Sequence, residues 1–254
     1  MNTGHRSGIT NMNLDIRLAN QVSEGALPVL RLYGWNPHAI SIGMHQRFED
    51  FDPAALSNAG LDIVRRPTGG MAILHANELT YSVAMPLGSL SLREAYRFIN
   101  EALLQGLRML GIPAELSASS EDFREAYRNA ASIPCFSTSA KCEIQAQGKK
   151  LLGSAQRRYG NVVLQHGSLL LGPEHREITE YLSHSLQQSK SLMVQQLGAR
   201  ATDAESILGT SVPFEDAAAA VRRGFEAAHG IEFSPTDVSY YAADTLPDTI
   251  LPCL

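Results

Sequence analysis

Cysteine is scarce in this sequence. Three residues in 254 are too few, and an odd number, for a disulfide framework. A reducing compartment is therefore expected, and a reactive thiol stays possible. Long apolar runs are missing too, since none approaches the roughly 20 residues of a spanning helix and residues 1–12 hold no apolar signal core. Cys253 is second from the end, whereas prenylation uses the cysteine fourth from the end. These absences predict a cytoplasmic protein with no lipid anchor and no membrane partner. Repeats and low-complexity stretches are lacking, which excludes solenoids and tethered arrays. Charge is nearly balanced, 21 Lys plus Arg against 26 Asp plus Glu for a net −5, and nucleic acid is not expected as a partner.

What is present is ordinary globular composition, 44% hydrophobic and 19% charged. One domain over residues 1–254 is expected, with residues 1–11 flexible and residues 173–254 mainly helical. Strands are predicted at Pro28–Gly34, Ala39–Gly43, Leu61–Arg66, Met71–Leu74 and Glu78–Met85. In the last, Glu78, Thr80 and Ser82 alternate with Leu79, Tyr81 and Val83, so one face reads as polar and the other as packed inward. The period turns helical after Ser91, where Ala95, Phe98, Ile99, Ala102, Leu103 and Leu110 form a stripe between a Ser91/Glu94 capping box and Gly111. A weaker helix is expected at Glu121–Ala131, ahead of Pro134 and a loop carrying Cys135. Turns at Gln147-Gly148 and Gly160-Asn161 split residues 141–171 into three antiparallel strands. The last helix has Pro213 in its first turn, Phe214, Ala218, Val221, Phe225 and Ala228 on one face, and Gly230 beyond its end. Strands first and helices later give an α+β fold with a large mixed or antiparallel sheet flanked by helices.

Chemistry-bearing residues gather in a few segments. Arg65-Arg66-Pro67-Thr68-Gly69-Gly70 joins a sharp turn, whose N–H groups a ligand can approach, to two arginines suited to a phosphate or a polarised carbonyl. A plain hairpin turn with solvated arginines is the alternative. His75 fits a base, a substrate contact or a structural histidine. Gly153-Ser154-Ala155-Gln156 and His166-Gly167 are small-residue sites within strands, which suit close approach by a ligand or by another strand. Lys150 opens a strand ahead of Leu151 and Leu152, a poor place for a merely solvated lysine. With a two-residue turn at Gln147-Gly148, Lys150 and Cys142 project from opposite sheet faces. Cys135 is a candidate nucleophile if a nearby cation favours its thiolate, and a buried hydrophobe otherwise. Arg65, Arg66, Lys149, Arg157 and Arg158 lie on the same segments and form either a basic docking patch or a set of strand-end charges.

In order, residues 30–37 (LRLYGWNP), 65–83 (RRPTGGMAILHANELTYSV), 135–136 (CF), 148–158 (GKKLLGSAQRR) and 164–171 (LQHGSLLL) resemble the lipoate-ligase-like octanoyltransferases of the biotin/lipoate protein ligase superfamily. The resemblance implies that superfamily's catalytic domain and transfer of an octanoyl group from acyl carrier protein to a lysine of a lipoyl domain. By position Cys135 matches the acyl-accepting nucleophile and Lys150 the lysine that contacts the acyl carbonyl. Gly69, Gly70 and His75 fall on the acyl tunnel, and Arg66, Gly153, Ser154 and His166 complete the expected substrate contacts. No cofactor and no metal are expected. Met71 stands where such transferases commonly have Arg and the ligases a third Gly. Lys141-Cys142-Glu143 replaces the Arg-Asn-Asp of ligases, which favours a transferase over an ATP-dependent lipoate–protein ligase. A lipoyl-domain amidotransferase and a noncatalytic binder of acyl or lipoyl domains are the other readings.

Overall fold

The computed structural model describes residues 1–117 and 143–234. The expected helix at Glu121–Ala131, together with Cys135, Cys142 and the residues after Ser234, lies outside them. Strands β1 (Asn2–Arg6), β2 (Val29–Trp35), β6 (Glu78–Pro86), β7 (Ala114–Leu116), β8 (Ile144–Ala146), β9 (Lys149–Tyr159) and β10 (Val162–Leu170) form a sheet in the order β1-β2-β6-β10-β9-β8-β7. A smaller sheet has the order β4-β3-β5, from β3 (Ala39–Ile42), β4 (Asp62–Arg65) and β5 (Ile73–His75). Pairings β1–β2 and β3–β4 are parallel and the others antiparallel, the mixed sheet the sequence predicts. The turn glycines and Gln147 supply the expected left-handed residues, with φ of 53° at Gln147, 72° at Gly148 and 57° at Gly160.

Residues 1–11, expected to be flexible, instead carry β1 and the start of helix α1 (Gly8–Ser23). A parallel strand is held by its backbone ladder, so Asn2–Arg6 needs no apolar pattern of its own to pair with β2. Ser7 then caps α1 by accepting the Thr10 N–H. Helix α2 (Pro53–Ala59) joins β3 to β4.

Helix α3 (Leu92–Met109) begins at the predicted capping box, where the Ser91 and Glu94 side chains each accept the other's backbone N–H, and Gly111 follows it with φ 81°. After β10 come a 3₁₀ segment (Pro173–Tyr181) and helices α4 (Gln187–Arg200), α5 (Ala204–Leu208) and α6 (Phe214–His229). Pro213 caps α6 rather than entering its first turn, and Gly230 ends it at φ 61°. Helices α3 and α6 pack on each other over one face of the large sheet. There Ile99, Leu103 and Leu107 of α3 and Val221 and Phe225 of α6 share a core with Leu30 and Leu32 of β2, Leu79, Tyr81 and Val83 of β6, and Leu169 of β10. Among the described residues no helix is long and apolar enough to cross a membrane.

The opposite face departs from the simple alternation read in β6. Glu78, Thr80 and Ser82 are polar, as expected, yet all three are buried. Helix α1 packs on β6 and β10, and polar partners on neighbouring elements replace the water those side chains would otherwise need.

Candidate active site

Between this polar face and the small sheet lies a cleft enclosing about 560 Å³ of empty space, its mouth included. Its walls come from α1 (Met12), β2 (Tyr33, Trp35), β3 (Ser41), the Arg66–Met71 turn, β5 (Ile73, His75), β6 (Thr80), β9 (Lys150 and Gly153–Ala155) and β10 (His166–Ser168). The register sets one row across the sheet: Tyr33 faces Thr80, Thr80 faces Ser168 and Ser168 faces Gly153. Three strand spacings of about 4.8 Å make this transverse row about 14 Å long. An aromatic wall of Tyr33 and Trp35 stands at its β2 end, and the strand that carries Lys150 lies at the other.

The turn after β4 is held from inside. Arg66 is buried, and its guanidinium donates to Ser41 O (3.0 Å), Gly69 O (2.8 Å) and Met71 O (2.7 Å). Gly70 has φ 93°, and a Cβ placed on Gly43 would lie 1.9 Å from Gly70 O, so the two backbones touch where no other residue fits at position 43. Gly70 and Met71 line the cleft, whereas Gly69 stands behind the lining with its carbonyl on Arg66.

Two histidines of the wall rest on buried carboxylates. His166 Nδ1 is 3.0 Å from Asp15 Oδ2, and its Nε2 is 2.6 Å from Thr68 Oγ1. Burial pushes the Asp15 carboxyl up, but Arg31 at 2.8 Å and hydrogen bonds from His166 and Ser82 outweigh it and hold the group below the usual carboxylate range. The ionised Asp15 accepts a hydrogen bond from His166 Nδ1–H, and the Thr68 hydroxyl, which can donate or accept, meets the other ring nitrogen. His75 Nε2 meets Ser41 Oγ at 2.8 Å, and the ring stacks on Trp35 with centroids 3.9 Å apart. Glu78 Oε1 lies 3.6 Å from His75 Nδ1, yet desolvation dominates and lowers the imidazole below its ordinary pKa. Glu78 also accepts the hydroxyls of Thr80 (2.7 Å) and Ser168, and Thr80 Oγ1 accepts the Trp35 indole N–H (2.8 Å).

At the β9 end, Lys150 Nζ and Glu143 Oε1 form a buried pair at 2.7 Å, both lining the cleft. Gly153 and Ser154 pass along the floor, and the Ser154 hydroxyl turns to the other face of the sheet, where it meets Tyr81 OH at 2.7 Å in the core under α3 and α6. The cleft thus brings together Lys150, Arg66, Gly70, His75, Gly153, Ser154 and His166 from the sequence-derived set. Among the described residues no group of three or more His, Cys, Asp or Glu side chains is arranged to hold a metal.

The basic segments do not gather into a single open patch. Arg66 is buried, Arg65 Nη1 is spent on the carbonyls of Gly43, Met44 and Gln46, and Lys149 donates to Gly198 O. Arg157 and Arg158 are exposed, although each also donates to a backbone carbonyl, of Pro67 and Gly160 respectively.

Residues 7–226 match the lipoyl protein ligase A/B catalytic domain. The chain belongs to this family. Among its relatives, octanoyltransferase LipM of Exiguobacterium sp. (strain ATCC BAA-1283 / AT1b) is 39% identical over 242 residues, covering 92% of this chain and 87% of that protein. Octanoyltransferase LipM of Bacillus subtilis (strain 168) is 34% identical over 251 residues, 96% and 90% of the two chains. In fold the chain is similar to lipoate-protein ligase A bound with ATP, with a TM-score of 0.74 and 21% identity over 95% of this chain and 90% of that one. Ta0514 of T. acidophilum, solved with bound lipoic acid, gives 0.71 at 24% identity over 95% and 91%.

Sequence reasoning missed the supports of the cleft: Asp15, Arg31, Thr68, Glu78 and Glu143. One signal was available for Asp15, a charged residue flanked by Met12, Leu14, Ile16 and Leu18. A carboxylate in such a setting is buried against a partner or not buried at all.

Proposed function

We propose that this protein is a cytoplasmic octanoyltransferase, moving an octanoyl group from octanoyl-acyl carrier protein to a lysine of lipoyl domains through a thioester on Cys135. The observation that carries the reading is a cleft with the lysine-bearing strand at one end and an aromatic wall at the other, in a chain whose relatives are named octanoyltransferases. Lys150 polarises the acyl carbonyl, and the chain runs along the row towards Tyr33 and Trp35. At about 0.8 kcal/mol per buried methylene, the acyl tail supplies roughly 5 kcal/mol of binding.

In the first half-reaction the Cys135 thiolate attacks the carbonyl of the carrier thioester. A C–S bond forms, the bond to the phosphopantetheine sulfur breaks, and that sulfur leaves as a thiolate that takes up a proton. One thioester replaces another, so no ATP is consumed. In the second, the neutral amine of the acceptor lysine attacks, a C–N bond forms, the C–S bond breaks, and the proton lost by nitrogen ends on the Cys135 sulfur or in solvent. Lys150 and N–H groups of the Gly69-Gly70 turn stabilise the oxyanion in both steps, with Arg66 keeping the turn in shape.

Intact-mass measurement after incubation with octanoyl-acyl carrier protein tests the proposal. The expected result is one octanoyl adduct that maps to Cys135, disappears in Cys135→Ser and is discharged by a lipoyl domain. An adduct on Cys142, or transfer that requires ATP, Mg²⁺ and free octanoate and fails with the carrier donor, overturns it.

A further inference from the structure

The Lys150–Glu143 pair is anchored from both sides. Each side chain is 3% exposed. Ser117 N–H holds the Glu143 carbonyl at 2.8 Å, and Thr202 N–H holds the Lys150 carbonyl at 3.0 Å. The β8–β9 register shifts here: Gln145 faces Lys150, Ile144 faces Leu152, and Leu151 is left between them. A bulge of this kind re-aims a side chain, and it lets Lys150 enter the cleft while Leu151 and Leu152 both stay in the apolar core.

Glu143 is the one carboxylate among the described lining residues. Arg66 contributes a positive charge to the same cleft from the turn after β4, and His75 of β5, His166 of β10 and Tyr33 of β2 are its other titratable groups. Lys149 is turned away to Gly198 O, and the segment after α4 meets Lys150 through the Thr202 backbone. Taking an ammonium out of water is unfavourable, and the Glu143 carboxylate 2.7 Å from the Lys150 amine offsets that cost. Only the ammonium form carries a full charge to offer an oxyanion.

We propose that Glu143 is a positioning residue of the transfer reaction, keeping Lys150 charged and aimed into the cleft. The proposal rests on the octanoyl-transfer reading above. Glu143 forms and breaks no covalent bond, and the proton stays on Lys150 throughout. A pair that served only to staple β8 to β9 would leave the chemistry of Lys150 unchanged once the fold is kept.

The test compares full-length wild type with Glu143→Gln, Glu143→Asp, Lys150→Gln and the Glu143→Gln/Lys150→Gln double variant. Glu143→Gln is expected to lower kcat for transfer from the carrier donor about 10²–10³-fold, as the loss of one oxyanion donor does, with KM little changed. In the Lys150→Gln background the same change should add little, because the two residues act as a unit. Without any substrate, heteronuclear NMR titration of the Lys150 Cε–Nζ group, assigned by its loss in Lys150→Gln, should show the ammonium deprotonating at lower pH in Glu143→Gln than in wild type. Glu143→Asp should restore the wild-type midpoint. Losses that multiply in the double variant, or a Lys150 midpoint unmoved in Glu143→Gln, overturn the proposal. Should Glu143→Gln fail to fold, Glu143→Asp decides through kcat and the midpoint together: a kcat that follows the Lys150 midpoint supports the assignment, and a kcat that falls with the midpoint unmoved overturns it. A wild type that moves no octanoyl group refutes the function, while the titration still settles the link between the two residues.

Discussion

Replacing Asp15 by Ala removes the carboxylate that four side chains share. Arg31 Nη1 lies 2.8 Å from it, Ser82 Oγ 2.7 Å, Tyr33 OH 2.9 Å and His166 Nδ1 3.0 Å. Both members of the Asp15–Arg31 pair are 0% exposed. Arg31 keeps hydrogen bonds to Thr3 Oγ1, Asn11 O and Asn11 Oδ1 after the change, but its charge has lost the carboxylate opposite it. Stranding one charge of a buried pair costs about 3–5 kcal/mol, a large share of the 5–15 kcal/mol or so of a typical fold. Urea unfolding should therefore show a lower midpoint at an unchanged slope, and Asp15→Leu with Arg31→Met should recover part of the loss. The pH dependence has a definite sign. Because the folded carboxyl sits below its unfolded value of about 3.9, its contribution is complete above that pH and is lost as the pH falls through the folded value. The gap between wild type and Asp15→Ala should accordingly be full at neutral pH and close in acid. A variant within about 1 kcal/mol of wild type at neutral pH, or a gap that widens on acidification, would show that the buried Asp15–Arg31 pair does not carry this stability.

Two further substitutions separate the cleft from the scaffold. Gly43→Ala places a Cβ 1.9 Å from Gly70 O. It is expected to cost about 1–3 kcal/mol and, by displacing the Gly69-Gly70 turn, to lower octanoyl transfer more than its loss of stability explains, which thermal melts and single-turnover assays on one sample will compare. Ser91→Ala removes the capping box of α3, whose side chains are exposed. It should cost about 1 kcal/mol, lower Tm by about 2–4 °C, and leave kcat unchanged.

The fold was legible where pattern and punctuation agree. Strands β2, β3 and β4 are short β-branched or aromatic runs, and α3 carries both its capping box and its terminal glycine in the sequence. Strand β1 was not legible, because Asn2–Arg6 pairs through its backbone and buries little. Helix α1 shows no clean stripe, since it turns Asn11, Asn13 and Asp15 inward along with Leu14 and Leu18. In the site, Arg66, His75, Lys150 and His166 were readable from their residue types and neighbours. Their partners were not: Asp15 lies 151 positions from His166, and Thr68 lies 98. A pairing over such separations leaves no periodic trace for sequence reasoning to find.

Those partners also bear on how β6 finds its register. Along this strand Leu79, Tyr81 and Val83 enter the apolar core under α3 and α6, while Glu78, Thr80 and Ser82 share the opposite face, with Thr80 lining the cleft and Ser82 meeting Asp15 of α1. A slip of one residue would exchange the two sets. Because β6 is buried on both faces, a hydrophobic pattern alone penalises that slip less than it would in a strand with one wet face. The polar side penalises it heavily: Glu78 would leave Thr80 and Ser168 and enter an apolar layer, and Ser82 would leave Asp15. Each of these displaced groups would lose its hydrogen bonds without gaining water. The carboxylates that support the cleft histidines therefore also select the pairing of the central strand, and a change that relieves one of them, such as Glu78→Leu, disturbs the register and the site together.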